Sequence, residues 1–262
     1  MIKIATPVSN LFQDSNYKKV LSEYSDCLEL RDLNLNITYP KIEVYHSELQ
    51  PIHELKEEDF DYLRKINNIH SNLKLVTFHC ASSCSNPNIK NGMFEKGVLG
   101  YKRADLFENA KRNFKRIKGI FKDIKIAVEN TNYYPTSAYK YITDADFIST
   151  LVYDNEIYFL FDIAHAKITA HNRKIDYLKY EKELPFNRVI QIHISHFATN
   201  GNGLAYDAHH RPKQEEFREV KNIVHTYDVM YLTIEYYKDI DNLLLSIEEL
   251  RKIKNELYRK SL

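Results

Sequence analysis

Short apolar runs alternate with longer segments of helical period along the whole chain. The runs stand at 2–7, 27–31, 41–45, 74–78, 125–128, 157–161, 189–192 and 230–234. They are too brief for amphipathic helices and rich in Ile, Val, Leu and Phe, so they read as strands. Between them, apolar residues recur at spacings of three and four over 54–70, 104–121, 137–152, 214–227 and 241–258. In the second of these segments the stripe is Leu106, Ala110, Phe114, Ile117 and Phe121, which can lie against a sheet. Eight strands alternating with helices predict βα units and a parallel sheet. In a chain of 262 residues that pattern fits an α/β fold closed into one (β/α)8 barrel, a single domain over 1–262. No internal repeat longer than a βα unit, low-complexity tract or linker interrupts it.

The polar residues that follow the runs carry the chemistry, because barrel enzymes place their reacting groups at the C-terminal strand ends. His46 follows the third run, His79 the fourth, Glu129 with Asn130 the fifth, and Asp162 with His165 the sixth. The seventh leads into His193 and a loop bearing Asp207 and His209, and the eighth ends in Glu235. Asp162 and His165 emerge together where a strand leaves the sheet, and Asp207 and His209, two apart, share a side of extended chain. These nine residues would give each of three divalent ions about three protein ligands, with positions left for water, a bridging oxygen or substrate. Mixed imidazole and carboxylate ligation suits Fe, Mn or Zn.

Any one histidine in such a chain is more simply a satisfied core or surface side chain, and the recurrence at successive strand ends is what argues for a site. Glu129 and Glu235 close Ile-Ala-Val and Leu-Thr-Ile runs, where an unpaired carboxylate is costly to bury. A metal ion or an arginine would satisfy either. His196 and His210 flank ligands and are read as groups that orient them or face substrate. His53, His70 and His225 fall on helix starts or faces and are read as solvated. Gly92, Gly97 and Gly100 after His79, and Gly201 and Gly203 between His196 and Asp207, mark loops over the same mouth. Such loops serve as a lid or partner contact, or as plain turns.

Composition narrows the function classes. Lys and Arg number 37 against 36 Asp and Glu, so bulk charge offers nothing to a polyanion and weakens a nucleic-acid reading. The N-terminus shows no basic stretch followed by a long apolar one, and no run approaches the length needed to span a bilayer, so the expectation is a cytoplasmic protein without a membrane segment. Cys27, Cys80 and Cys84 are an odd number and read as free thiols; Cys80 and Cys84 could form half of a zinc site, but no second cysteine pair exists.

In these residues the chain resembles the xylose isomerase-like TIM barrel superfamily, and within it two trinuclear branches. Endonuclease IV-like enzymes carry His, His, Glu, Asp-x-x-His, His, Asp-x-His and Glu in the order of His46, His79, Glu129, Asp162 and His165, His193, Asp207 and His209, and Glu235. Several strings are more similar to the multinuclear non-haem iron-dependent oxidases: Glu129-Asn130, the His193 to His196 spacing, and Asp207-Ala208-His209. The final strand, Thr233-Ile234-Glu235, is similar too, though many members carry Arg-Asp soon after that Glu and this chain has Lys238-Asp239. The Gly-rich string common after the barrel histidines of that family is replaced by Cys80-Ala81-Ser82-Ser83-Cys84, which puts a shared substrate pocket in doubt.

The oxidase resemblance implies two or three metal ions, Fe first, with Zn or Mn as alternatives. It further implies oxidation of a peptide or other small substrate at cysteine, with iron binding the thiolate, carboxylates such as Glu129 bridging ions, and a partner protein presenting the peptide. Glu129, Asp162, His209 and Glu235 are the residues expected to act in catalysis. The endonuclease branch implies instead a trinuclear zinc phosphodiesterase acting on abasic DNA, and the wider superfamily a metal-dependent sugar isomerase or epimerase.

Overall fold

A computed structural model describes residues 1–32 and 39–259. The barrel strands are β1 (Lys3–Pro7), β2 (Cys27–Arg31), β3 (Ile42–Ser47), β4 (Leu75–Phe78), β5 (Lys125–Glu129), β6 (Tyr158–Asp162), β7 (Val189–Ile194) and β8 (Tyr231–Ile234). All pair in parallel, and β1 closes on both β2 and β8. The eight runs in the sequence are these eight strands. The helices are α1 (Ser15–Tyr24), α2 (Glu57–Ile69), α3 (Arg103–Phe121), α4 (Ala145–Asp154), α5 (Ile163–Arg173), α6 (Tyr177–Lys182), α7 (Gln214–Thr226) and α8 (Ile240–Arg259).

Two apolar layers hold this arrangement. The larger lies between strands and helices, where faces such as Phe60, Leu63 and Ile66 of α2 and Leu106, Ala110, Phe114, Ile117 and Phe121 of α3 are buried. The smaller plugs the barrel lumen with one residue from each strand: Ala5, Cys27, Val44, Leu75, Ala127, Leu160, Ile190 and Tyr231. Side chains alternate along a strand, so the residues two positions further on from several of these face the lumen one layer higher. They are Glu29, His46, Thr77, Glu129, Asp162 and Thr233, all buried. Strand period alone therefore carries the chain from an apolar plug to a polar mouth in one step.

Some expectations are corrected here. His46 and His193 lie inside their strands, because β3 and β7 run on to Ser47 and Ile194. The segment 137–152 is not one helix: Tyr141 adopts a positive φ of 73°, which no α-helix accommodates, and separates a 3-10 turn at Ser137–Tyr139 from α4. The loops after β4 and β7 fold as antiparallel hairpins, pairing 88–90 with 93–95 and 196–199 with 205–210. Gly97 is required by close approach, since a Cβ there would sit 2.0 Å from the backbone oxygen of Ser85. Among the described residues no helix is long and apolar enough to cross a membrane.

Candidate metal centre

All nine expected ligands converge on the C-terminal mouth, and their hydrogen bonds decide which atoms face one another. His46 Nδ1 bonds Thr77 Oγ1 at 2.6 Å, which leaves its Nε2 against Nε2 of His79. The two rings lie 4.4 Å apart, and Glu129 Oε2 stands 3.7 Å from the first Nε2 and 3.4 Å from the second. Burial, together with the cationic Arg31, pushes the His46 pKa well below its ordinary value, so its imidazole is neutral. Two imidazole nitrogens and one carboxylate oxygen facing a common point form a three-ligand set for one cation.

The other oxygen of Glu129, Oε1, is 3.1 Å from His193 Nδ1, which also lies 3.2 Å from Glu235 Oε1. His193 Nε2 is 3.2 Å from Glu29 Oε2 and is free to donate to it, leaving Nδ1 for a metal. A carboxylate behind a histidine is the usual way to fix which ring nitrogen coordinates. Asp162, at the end of β6, groups with Glu129 and His165, their ligand atoms lying within 4.8 Å of one another. Its Oδ1 accepts the backbone N–H of His165 at 2.7 Å and caps α5, while its fully buried Oδ2 has no hydrogen-bond partner among the described residues. Burial pushes the Asp162 carboxyl up to about 7, and the carboxylates of Glu235, Glu129 and Asp207 push the same way against the pull of His165. An orphaned oxygen of this kind is the donor that a cation would satisfy.

The third set surrounds His165. Its Nδ1 meets the backbone oxygen of Asn130 at 2.9 Å, and because a carbonyl only accepts, that nitrogen carries a proton. Nε2 faces Asp207 Oδ2 at 3.4 Å, and His209 Nε2 reaches the same oxygen at 3.1 Å. His209 Nε2 also stands 3.5 Å from Glu235 Oε2. Its backbone has a positive φ of 41°, sparsely populated for a residue with a Cβ, and such conformations gather at functional sites.

Two residues of the mouth escaped the sequence reading. Glu29 and Arg31, two apart on β2, share a side of the strand; the Arg31 guanidinium pairs with Glu29 and with Glu235 Oε1. Against burial, which would raise it, Arg31 and His193 hold Glu29 down to about 2. Of the two possibilities raised for Glu235, the arginine is present: Arg31 meets Oε1, which also faces His193, while Oε2 faces His209. The detectable signal was two charges alternating within Cys27-Leu28-Glu29-Leu30-Arg31, where Cys27 belongs to the lumen.

Outside the mouth, His196 Nδ1 contacts Glu216 at 3.2 Å, and His210 Nδ1 lies 3.3 Å from Lys238 Nζ. His225 is exposed as expected, but His70 is buried and His53 is partly so, with Nε2 donating to the Ser82 carbonyl at 2.7 Å and its ring stacked on Tyr101. Both were expected to be solvated. The three cysteines are free and buried. Cys84 Sγ accepts the Gly97 N–H at 3.1 Å, and no cysteine joins a metal-ligand group among the described residues.

Solved structures share the barrel. A 3-keto-D-glucoside 4-epimerase from E. coli aligns over 97% of this chain and 100% of its own at 12% identity, with a TM-score of 0.64. A D-tagatose 3-epimerase-like protein aligns over the whole of both chains at 16% identity and 0.59. A xylose isomerase-like TIM barrel protein from Mycobacterium smegmatis, solved with magnesium, aligns over 97% and 98% at 9% identity and 0.58. No sequence among the curated proteins matches the chain. Such identities establish the fold, a xylose isomerase-like TIM barrel, and no more. The family model of the RiPP precursor modification enzymes MbnB/TglH/ChrH matches residues 56–258, which takes in eight of the nine converging residues, and the chain belongs to that family of peptide-modifying enzymes.

Proposed function

We propose that the protein is a multinuclear metal-dependent oxidase, with iron as the working metal, that modifies a ribosomally made precursor peptide at cysteine. The observation that carries this reading is Glu129, whose two oxygens face different histidine sets: Oε2 towards His46 and His79, Oε1 towards His193. A carboxylate split in this way would serve a cation in each set. His46, His79 and Glu129 would hold one ion; Glu129, Asp162, His193 and Glu235 a second; and His165, Asp207 and His209 can hold a third. Iron would supply the redox capacity for oxidising a thiol with dioxygen, which zinc lacks. The chain's own residues bind and orient the ions: Thr77, Glu29 and the Asn130 carbonyl fix three imidazoles. Glu129, Asp162, His209 and Glu235 stand next to the reacting groups. A partner protein that presents the peptide fits the same reading.

The test begins with protein purified without oxygen. Elemental analysis and Mössbauer spectroscopy should give more than one iron per chain, and a single equivalent would overturn the multinuclear reading. Iron-loaded protein should then consume dioxygen only with its cysteine-bearing precursor peptide, and zinc-loaded protein should not. Zinc-dependent cleavage of abasic DNA well above background would replace this reading with the phosphodiesterase one, which the balanced charge of 37 against 36 disfavours.

A further inference from the structure

The two hairpins over the mouth border a cavity of about 440 Å³ that adjoins the candidate metal centre at Asp207. On one side, Lys90 pairs with Met93 across Asn91 and Gly92, whose φ values of 52° and 74° make the two-residue turn that Asn-Gly favours. On the other, Asn200 ties the tip of its hairpin by accepting from the backbone N–H groups of Asn202 and Leu204 at 3.0 and 3.1 Å. Both rims are therefore braced by local chemistry. Met93, Leu204, Tyr134 and Tyr206 give the cavity apolar and aromatic walls, Asn202 stands at the rim, and Asp207 belongs both to the cavity and to the third ligand set.

Charge is the second observation. Charged residues make up 28% of the chain, yet among the described residues Asp207 is the only one lining this cavity, and its carboxylate is turned to His165 and His209. Met93 and Leu204 are only half-buried and Tyr206 is exposed, so apolar surface is left to be covered. The volume lies in the ~300–1,000 Å³ range of sites that enclose a small ligand.

We infer that this cavity is the side-chain subsite for the peptide residue adjoining the one that is modified, and that it selects an uncharged, preferably aromatic side chain there. This rests on the proposed peptide reaction, since contact through Asp207 puts the subsite one residue from the reacting position. An aromatic ring gains Met93 sulfur and tyrosine edges as neighbours. An acidic side chain finds no lysine or arginine in the lining, among the described residues, to pair with when it leaves water.

The probes are fluorescein-labelled pentapeptides with a central cysteine and, on one side or the other of it, a variable residue: Gly, Phe, Leu, Asn or Glu. Anisotropy titrations use the metal-loaded protein without oxygen. Phe should bind about tenfold tighter than Gly in one of the two placements, and Glu more weakly than Gly. Leu204→Glu and Met93→Glu should each bring the Phe-to-Gly ratio to about one, with circular dichroism and metal content as checks on folding. Indifference to the variable residue, no binding up to millimolar concentration, or a Phe preference that survives both substitutions overturns the inference. Replacing the peptide's cysteine by alanine separates the two readings: a Phe preference without cysteine dependence keeps the subsite and removes the thiol reaction, and the reverse result does the opposite.

Discussion

The mouth of the barrel has two halves that treat buried negative charge differently. On the β2 and β8 side, Glu29 and Glu235 share Arg31, and both carboxylates are held low. On the β5 and β6 side, histidines stand against Glu129, Asp162 and Asp207: Glu129 and Asp207 are held low, while Asp162 is pushed up to about 7 and has one oxygen without a hydrogen-bond partner among the described residues. The first half carries a guanidinium of its own; the second is less complete, with imidazoles against its carboxylates.

The largest effect should come from the incomplete half. Asp162→Ala and His209→Ala should each abolish turnover and lower bound metal by about one equivalent, while circular dichroism stays native, because neither side chain belongs to the apolar layers. Full metal content and turnover in both variants would mean that the ligands lie elsewhere.

Next in size is the half that holds Arg31. Arg31→Ala leaves two buried carboxylates without their cation and should cost about 3 kcal/mol of stability in denaturant titrations of metal-free protein. Arg31→Met combined with Glu29→Gln should recover part of that loss, since the charge is removed with its partner. Equal loss in single and double variants would show that packing, not charge, holds this side.

The smallest effect is one of pH. Asp162 has its folded pKa raised from 3.8 to about 7, and His165 and His193 are raised well above 6.5 by carboxylates around them, against burial. A raised folded pKa stabilises below the unfolded value, and that contribution disappears as pH rises through the folded one. Metal-free protein should therefore melt about 5 °C lower at about pH 8 than at about pH 5.5. Added metal should stabilise more at the higher pH, because ligands bind deprotonated. A flat profile would place these charges outside the titrating set.

How far the sequence led follows the same division. Barrel strands were visible because their apolar runs are short and regularly spaced, and the nine candidate ligands because they stand just after or near the ends of those runs. Glu29 and Arg31 were hidden inside a run, where polar residues look outward-facing; only closure of the sheet turns that side into a lumen. Helix α5 was missed because it starts directly at Asp162 and buries Ile163, Ala164, Ala166, Ile168, Thr169 and Ala170, leaving no clear polar face. Helix α1 was missed for the opposite reason, since Leu21 is its one buried residue.

Asn130 joins the tips of β5 and β6 through its side chain, donating to the Asp162 carbonyl at 2.9 Å and accepting the Asp162 N–H at 2.8 Å, while its own carbonyl holds His165. Mechanically this is a rigid coupling: Glu129 by the peptide bond, Asp162 by the amide and His165 by its ring move as one body. Vibration of the hairpins above then leaves the spacing of these three side chains untouched, so loop motion and the geometry of the candidate site are decoupled. An aspartate here would keep the shape and lose the donor, and the coupling would open at the hydrogen bond that a carboxylate cannot make.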